Sequence, residues 1–213
     1  MLDPASIRQA LGPVPATLAP PDEFWLALYQ GYQTPPRSYH TFDHVVEVVR
    51  RYREADEAVG WDHPVEVFLA ALFHDLVYRV GAKDNERRSA VQAAEAVARW
   101  LDEAAIDVAY LTRLIELTAR HGALTPAAVS PEEALFLDCD MAVLGADADT
   151  YDRYEEGVAR EYQALYPPPL YQQGRAQFLR GLLERERIYL SDYFHGRLDA
   201  RARGNIERVL AGL

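Results

Sequence analysis

Residues 64 to 80, "PVEVFLAALFHDLVYRV", narrow the possible folds more than any other stretch. Pro64 in a first turn and Gly81 after the last apolar residue frame a helix. Its residues are apolar on nearly every side, so it belongs at the centre of the molecule. Yet it carries His74 and Asp75. A buried carboxylate without a partner is strongly penalised, or shifts its pKa until it is neutral. Any fold of this chain must therefore bring a compensating group to Asp75. "LFLDCDMAVL", residues 135 to 144, repeats the demand with Asp138 and Asp140 in a second buried-looking helix. An adjacent His-Asp pair alone is equally well served by a hydrogen-bonded core histidine and a buried ion pair. A third polar insertion, a histidine of "YHTFDH" one helix upstream, changes the balance. One shared divalent cation explains all three more economically than three unrelated pairs. Imidazole nitrogen and carboxylate oxygen suit Mn, Zn, Fe, Co, Ni or, with more oxygen donors, Mg.

The remaining periodicities are helical as well. "PDEFWLALYQGY" predicts a helix ending near Gly31, and "TPPRSYH" a loop, because prolines interrupt it. Val45, Val48, Val49 and Tyr52 repeat at helical spacing from Thr41. "AKDNERRS" reads as a polar connection with a cap at Asn85, followed by helices in "AVQAAEAVARWL" and "DVAYLTRLIELTAR", the second closed by Gly122. Ser130, Pro131 and Glu133 spell a capping box, and Gly145 marks the far end of that helix. Further helices follow in "DTYDRYEEGVAREYQALY", "YQQGRAQFLRGLLERERIYL" and "GRLDARARGNIERVLAGL". The expected fold is all-α: one helical bundle over residues 1–213, with a metal-site core at about 24–145 and C-terminal helices at about 150–213.

With 213 residues the chain can fill one core. Its net charge of -11 argues against a nucleic-acid polymer as partner, since that affinity comes from neutralising phosphates. It leaves room for a small anionic substrate held by a metal and a few arginines. Cys139 is the only cysteine, so no intrachain disulfide is available and a reducing, cytoplasmic setting is expected. The N-terminal residues lack the pattern of a signal peptide, and no apolar run suggests a membrane span.

The order His, His-Asp, Asp on an all-helical chain resembles the HD-domain superfamily of metal-dependent phosphohydrolases. "YHTFDH", "FHDLVY", "DNERRSA", "LIELTARHG", "LDCDMAVLG", "YEEGVAREY" and "GRAQFLRGLLERERIY" together look like a group of bacterial predicted HD hydrolases, over roughly residues 24 to 190. The resemblance implies His44, His74, Asp75 and Asp140 as metal ligands, with Asp140 favoured over Asp138. It implies hydrolysis of a phosphoester in a nucleotide or related small metabolite, with one tight divalent metal and room for a weaker second.

Two histidines four apart, His40 and His44, lie on one helical face and could both be ligands. The "YHxxxH" segment, however, is similar to that of cyclic-nucleotide phosphodiesterases, where the first histidine donates a proton to the leaving oxygen and the second binds metal. Carried over, His40 is the general acid and His44 the ligand, while Asp75 or Asp140 orients the attacking water. An imidazole suits the acid role because its pKa lies near working pH. The match of "DNExxSA" to the family segment makes Glu86 a candidate base, and the resemblance likewise singles out Arg175 and Tyr162 as substrate contacts; the charges of Lys83, Arg87 and Arg88 could draw in phosphate, and His121 could hold a phosphate oxygen. His63 and His195 read as surface residues. Three further readings stand beside this one: a non-catalytic nucleotide-binding or signalling module, an HD-type di-iron oxygenase, and an oligomeric scaffold with a structural metal. A homodimer is expected by analogy with other small helical hydrolases.

Overall fold

The computed structural model describes residues 2–212. The expected all-α architecture is what the chain adopts: ten α-helices and no strand among the described residues. None of these helices is long and apolar enough to cross a membrane. The helices divide into two compact units, with the boundary between Arg120 and His121.

The first unit holds α1 (Pro4–Leu11), α2 (Asp22–Gly31), α3 (Phe42–Ala58), α4 (Pro64–Phe73), α5 (Asn85–Trp100) and α6 (Val108–Thr118). As its composition demands, α4 is the central element. Every residue from Glu66 to Phe73 is buried, and α3, α5 and α6 pack around it. The polar exception, Glu66, accepts the backbone N–H of Asp107 at 2.8 Å. Helix α1 was not foreseen in the sequence. It is a short element capped by Asp3, whose side chain accepts the Ser6 N–H, and it ends at Gly12 with φ of 74°.

The largest departure from expectation concerns the end of α4. The helix stops at Phe73 instead of running to Gly81. At this end Ala70 O and Phe73 O accept backbone N–H groups of His74 and Leu76, and side chains partner the carbonyls between and beyond them. The Tyr32 hydroxyl donates to Leu72 O at 2.8 Å, and the His74 ring nitrogen Nδ1 lies 3.1 Å from Ala71 O. Arg37 donates to the carbonyls of Asp75 and Leu76, at 2.7 Å each. His74 and Asp75 therefore sit in the turn at the helix end, and Asp75 is partly exposed. The extended segment that follows is braced by α5. Asn85 pairs with both backbone groups of Arg79 (3.1 and 3.0 Å), and the Ser89 hydroxyl with both backbone groups of Val77 (3.0 and 3.3 Å). The cap of α5 is accordingly Asp84, and Asn85, expected to cap, is its first helical residue.

The second unit contains α7 (Pro131–Met141), α8 (Ala148–Tyr162), α9 (Pro168–Leu183) and α10 (Asp192–Gly212). The capping box at Ser130 and Glu133 is present as expected. A 3-10 turn, Ala142–Gly145, extends α7 to the glycine. At Gly145 a Cβ would meet Leu198 Cβ at 2.7 Å, so glycine lets this turn approach α10. The run "LERERIYL" was expected to be helical but is irregular after Leu183. Its backbone groups are taken by side chains: Arg203 donates to Leu183 O and Arg185 O, while Asp199 accepts from Ile188 N. α10 starts four residues before Gly196, and its expected end at Leu213 lies outside the described residues.

Candidate metal centre

His44 stands in the first turn of α3, after Thr41, whose extended backbone starts the helix. The valines that follow are buried, which holds this face of α3 against the core and buries His44 with it. His74 caps the C-terminal end of α4, just after Phe73, and Asp75 comes next. The fold thereby gathers three donor atoms: His44 Nε2 and His74 Nε2 are 3.1 Å apart, Asp75 Oδ2 is 3.2 Å from the second and 3.6 Å from the first. These three side chains form the metal-capable group found among the described residues.

Two features of the cluster fit a cation. Ligand bonds of about 2.0–2.2 Å at angles between octahedral and tetrahedral put neighbouring donors about 2.8–3.6 Å apart, the range spanned here. The second feature is the tautomer of His74. A carbonyl oxygen only accepts, so the contact to Ala71 O assigns the proton to Nδ1. In the neutral ring Nε2 is then a bare lone pair, facing another imidazole and a carboxylate. A backbone partner on the remote nitrogen is the usual device that orients a ligating histidine.

His40 lies outside this donor set, at the entrance to α3. Its ring stacks on Tyr78, with centroids 4.0 Å apart and planes at 24°, and Tyr39 meets it edge-on at 4.9 Å. Its centroid is 5.9 Å from that of His44. His40 is half-buried, so it borders the cluster while retaining a face to solvent.

Arg37 escaped the sequence reading. Its guanidinium donates to the carbonyls of Gly31, His40, Asp75 and Leu76. The available signal was one cation placed between "PP" and "SYH", in a loop with no regular structure to satisfy its backbone. Asn85 and Ser89 were missed for a related reason. "DNERRSA" drew attention to its charged residues, yet its buried neutral ones brace the segment after Asp75. Glu86 is half-buried in the first turn of α5, whereas Lys83, Arg87 and Arg88 are exposed. Arg87 faces Asp84 at 3.8 Å, a surface pair of little energetic weight.

The other expected site residues belong to the second unit. Asp140, anticipated as a fourth ligand, has Oδ2 3.4 Å from His121 Nδ1. His121 lies in a 3-10 turn held by Arg185, which donates to the carbonyls of His121 and Leu124. Asp138 has different partners from Asp140. It accepts from Leu190 N (2.9 Å), Ser191 N (2.7 Å) and Ser191 Oγ (2.6 Å), anchoring the start of α10. Burial pushes its carboxyl up to about 7 despite these donors.

Arg175 does not present an open fork to a phosphate. Its Nε and Nη2 bind Glu155 at 3.0 and 2.7 Å, and the guanidinium lies between the rings of Tyr154 and Phe178. Tyr162 ends α8 in a ring cluster with Tyr166 and Tyr171. His63 is exposed as expected, but His195 is not a plain surface residue: its Nδ1 lies 3.2 Å from Asp199 Oδ1. The chain matches no family model, no curated protein and no solved structure.

Proposed function

We propose that this protein is a metal-dependent phosphohydrolase of HD-domain type, acting on a nucleotide or a related small phosphorylated metabolite. The observation that carries the reading is the convergence of His44 Nε2, His74 Nε2 and Asp75 Oδ2 at donor spacings of 3.1 to 3.6 Å. A divalent cation bound by these three would acidify a water and polarise a phosphoryl oxygen. The chain's own groups do the rest. His74, locked by Ala71 O, keeps its lone pair directed inward. Asp75 offers a carboxylate oxygen toward both imidazoles and a second oxygen able to accept a proton. His40, at the rim, is the group to protonate a departing alkoxide. A buried Cys139 is compatible with a reducing, cytoplasmic setting.

The test is a metal analysis of dialysed protein, followed by hydrolysis assays with an aryl phosphate and a nucleotide panel. Each assay is run with Mn, Mg, Zn, Fe, Co and Ni. Phosphate release that depends on one of these metals and is lost in His40→Ala supports the reading. Fully metallated protein that hydrolyses nothing in the panel, and is indistinguishable from His40→Ala, would sink it.

A further inference from the structure

The loop carrying His40 and the turn carrying Asp75 are far apart in sequence, and neither belongs to a helix. The Arg37 side chain bonds to both. Arg37 Nη1 donates to His40 O at 3.0 Å and to Asp75 O at 2.7 Å; Nη2 donates to Leu76 O at 2.7 Å and to Gly31 O at 3.4 Å. A guanidinium presents its donors in a rigid plane, so bonds to the end of α2, the His40 loop and the Asp75 turn fix the angles among all three. An ammonium, a point charge on a flexible stem, cannot reproduce that plane.

Arg37 also reaches the His40 ring by a second route. Its guanidinium carbon lies 5.1 Å from the Tyr32 ring centroid and 5.7 Å from that of Tyr78. Tyr78 in turn stacks on His40. Thus one residue grips the backbone of His40, the tyrosine that packs its ring, and the backbone of Asp75, whose carboxylate closes the donor cluster.

We infer that Arg37, acting with Tyr78, is the positioning residue that holds the His40 imidazole in register with the His44–His74–Asp75 cluster. The catalytic part of this role rests on the phosphohydrolase reading. A proton donor must lie within about 3.2 Å of the oxygen it serves. A displacement of about 1 Å costs about a hundredfold in rate. Losing the plane of Arg37 should therefore lower kcat and leave His44 and His74, held by α3 and the end of α4, in place to bind metal.

The experiment uses the full chain and the variants Arg37→Lys, Arg37→Ala and Tyr78→Leu. Ring-proton NMR of the metal-free protein reports the stack directly, with the His40 signals assigned by their loss in His40→Gln. In the wild type these signals should lie upfield, because the ring sits over the Tyr78 face. They should move downfield in Tyr78→Leu and, by a smaller step, in Arg37→Lys. Metal content should match wild type in both, with kcat lower by about a hundredfold and KM little changed. If Arg37→Ala does not fold, the other two variants carry the comparison. His40 signals that stay in place in Arg37→Lys overturn the positioning role, whatever substrate is found. A wild type that hydrolyses nothing overturns the phosphohydrolase reading instead, and the NMR shift still decides the placement of His40.

Discussion

His40 and His44 are four residues apart, and their environments assign them different work. His44 is buried, with its Nε2 toward another imidazole and a carboxylate. His40 is half-buried and stacked on Tyr78, outside that donor set. The two should respond differently to the same truncation. His44→Ala is expected to leave dialysed protein without stoichiometric metal, measured by atomic emission. His40→Ala should retain metal and lose turnover by about 10²–10⁴-fold, the usual worth of a general acid. Loss of metal in both variants would mean that His40 is a ligand too.

At the scale of elements, the decisive event is the early end of α4. The apolar run continues past Phe73, but the backbone leaves the helix there: Tyr32 and His74 partner the carbonyls of Leu72 and Ala71 in its last turn, and Arg37 takes those of Asp75 and Leu76 just beyond it. α5 then fastens the emerging segment through Asn85 and Ser89. Ser89 is fully buried, so Ser89→Ala leaves both backbone groups of Val77 without this partner. The expected cost is about 1–3 kcal/mol in a denaturant titration, with faster amide exchange at Val77. An unchanged midpoint would show that this bracing carries no stability.

At the scale of the whole molecule, two linkages follow. A cation that binds only the folded chain stabilises it by mass action, by about 2.7 kcal/mol at a hundredfold excess over Kd. For a chain of this length that raises Tm by about 5–10 °C, and the rise should vanish in His44→Ala. The second linkage is to protons. Burial raises Asp138 from 3.8 to about 7, so between those values the folded protein holds more protons than the unfolded chain. Its contribution is complete below pH 4 and is lost as pH climbs through 7. Stability should therefore fall across that interval, by at most about 1.4 kcal/mol per pH unit from this group. Asp138→Asn should flatten the slope while weakening the anchor of α10. A slope unchanged in that variant assigns the effect elsewhere.

The helical class, the central place of α4, the capping box at Ser130 and the trio of His44, His74 and Asp75 were all legible in the sequence. The first three rest on local spacing, a quantity that neighbouring residues set; the trio rests on the cost of burying charge together with the family resemblance, which singled out His44. The end of α4, the bracing by Asn85 and Ser89 and the clamp of Arg37 were not legible. They arise where side chains from distant segments compete with helical hydrogen bonding for the same carbonyls, and no periodicity records that contest. Asp138 and Asp140, two residues apart in one motif, were distinguished in the sequence by the family resemblance alone; the structure adds the physical difference, since Asp138 accepts two backbone N–H groups and a hydroxyl while Asp140 faces the His121 imidazole.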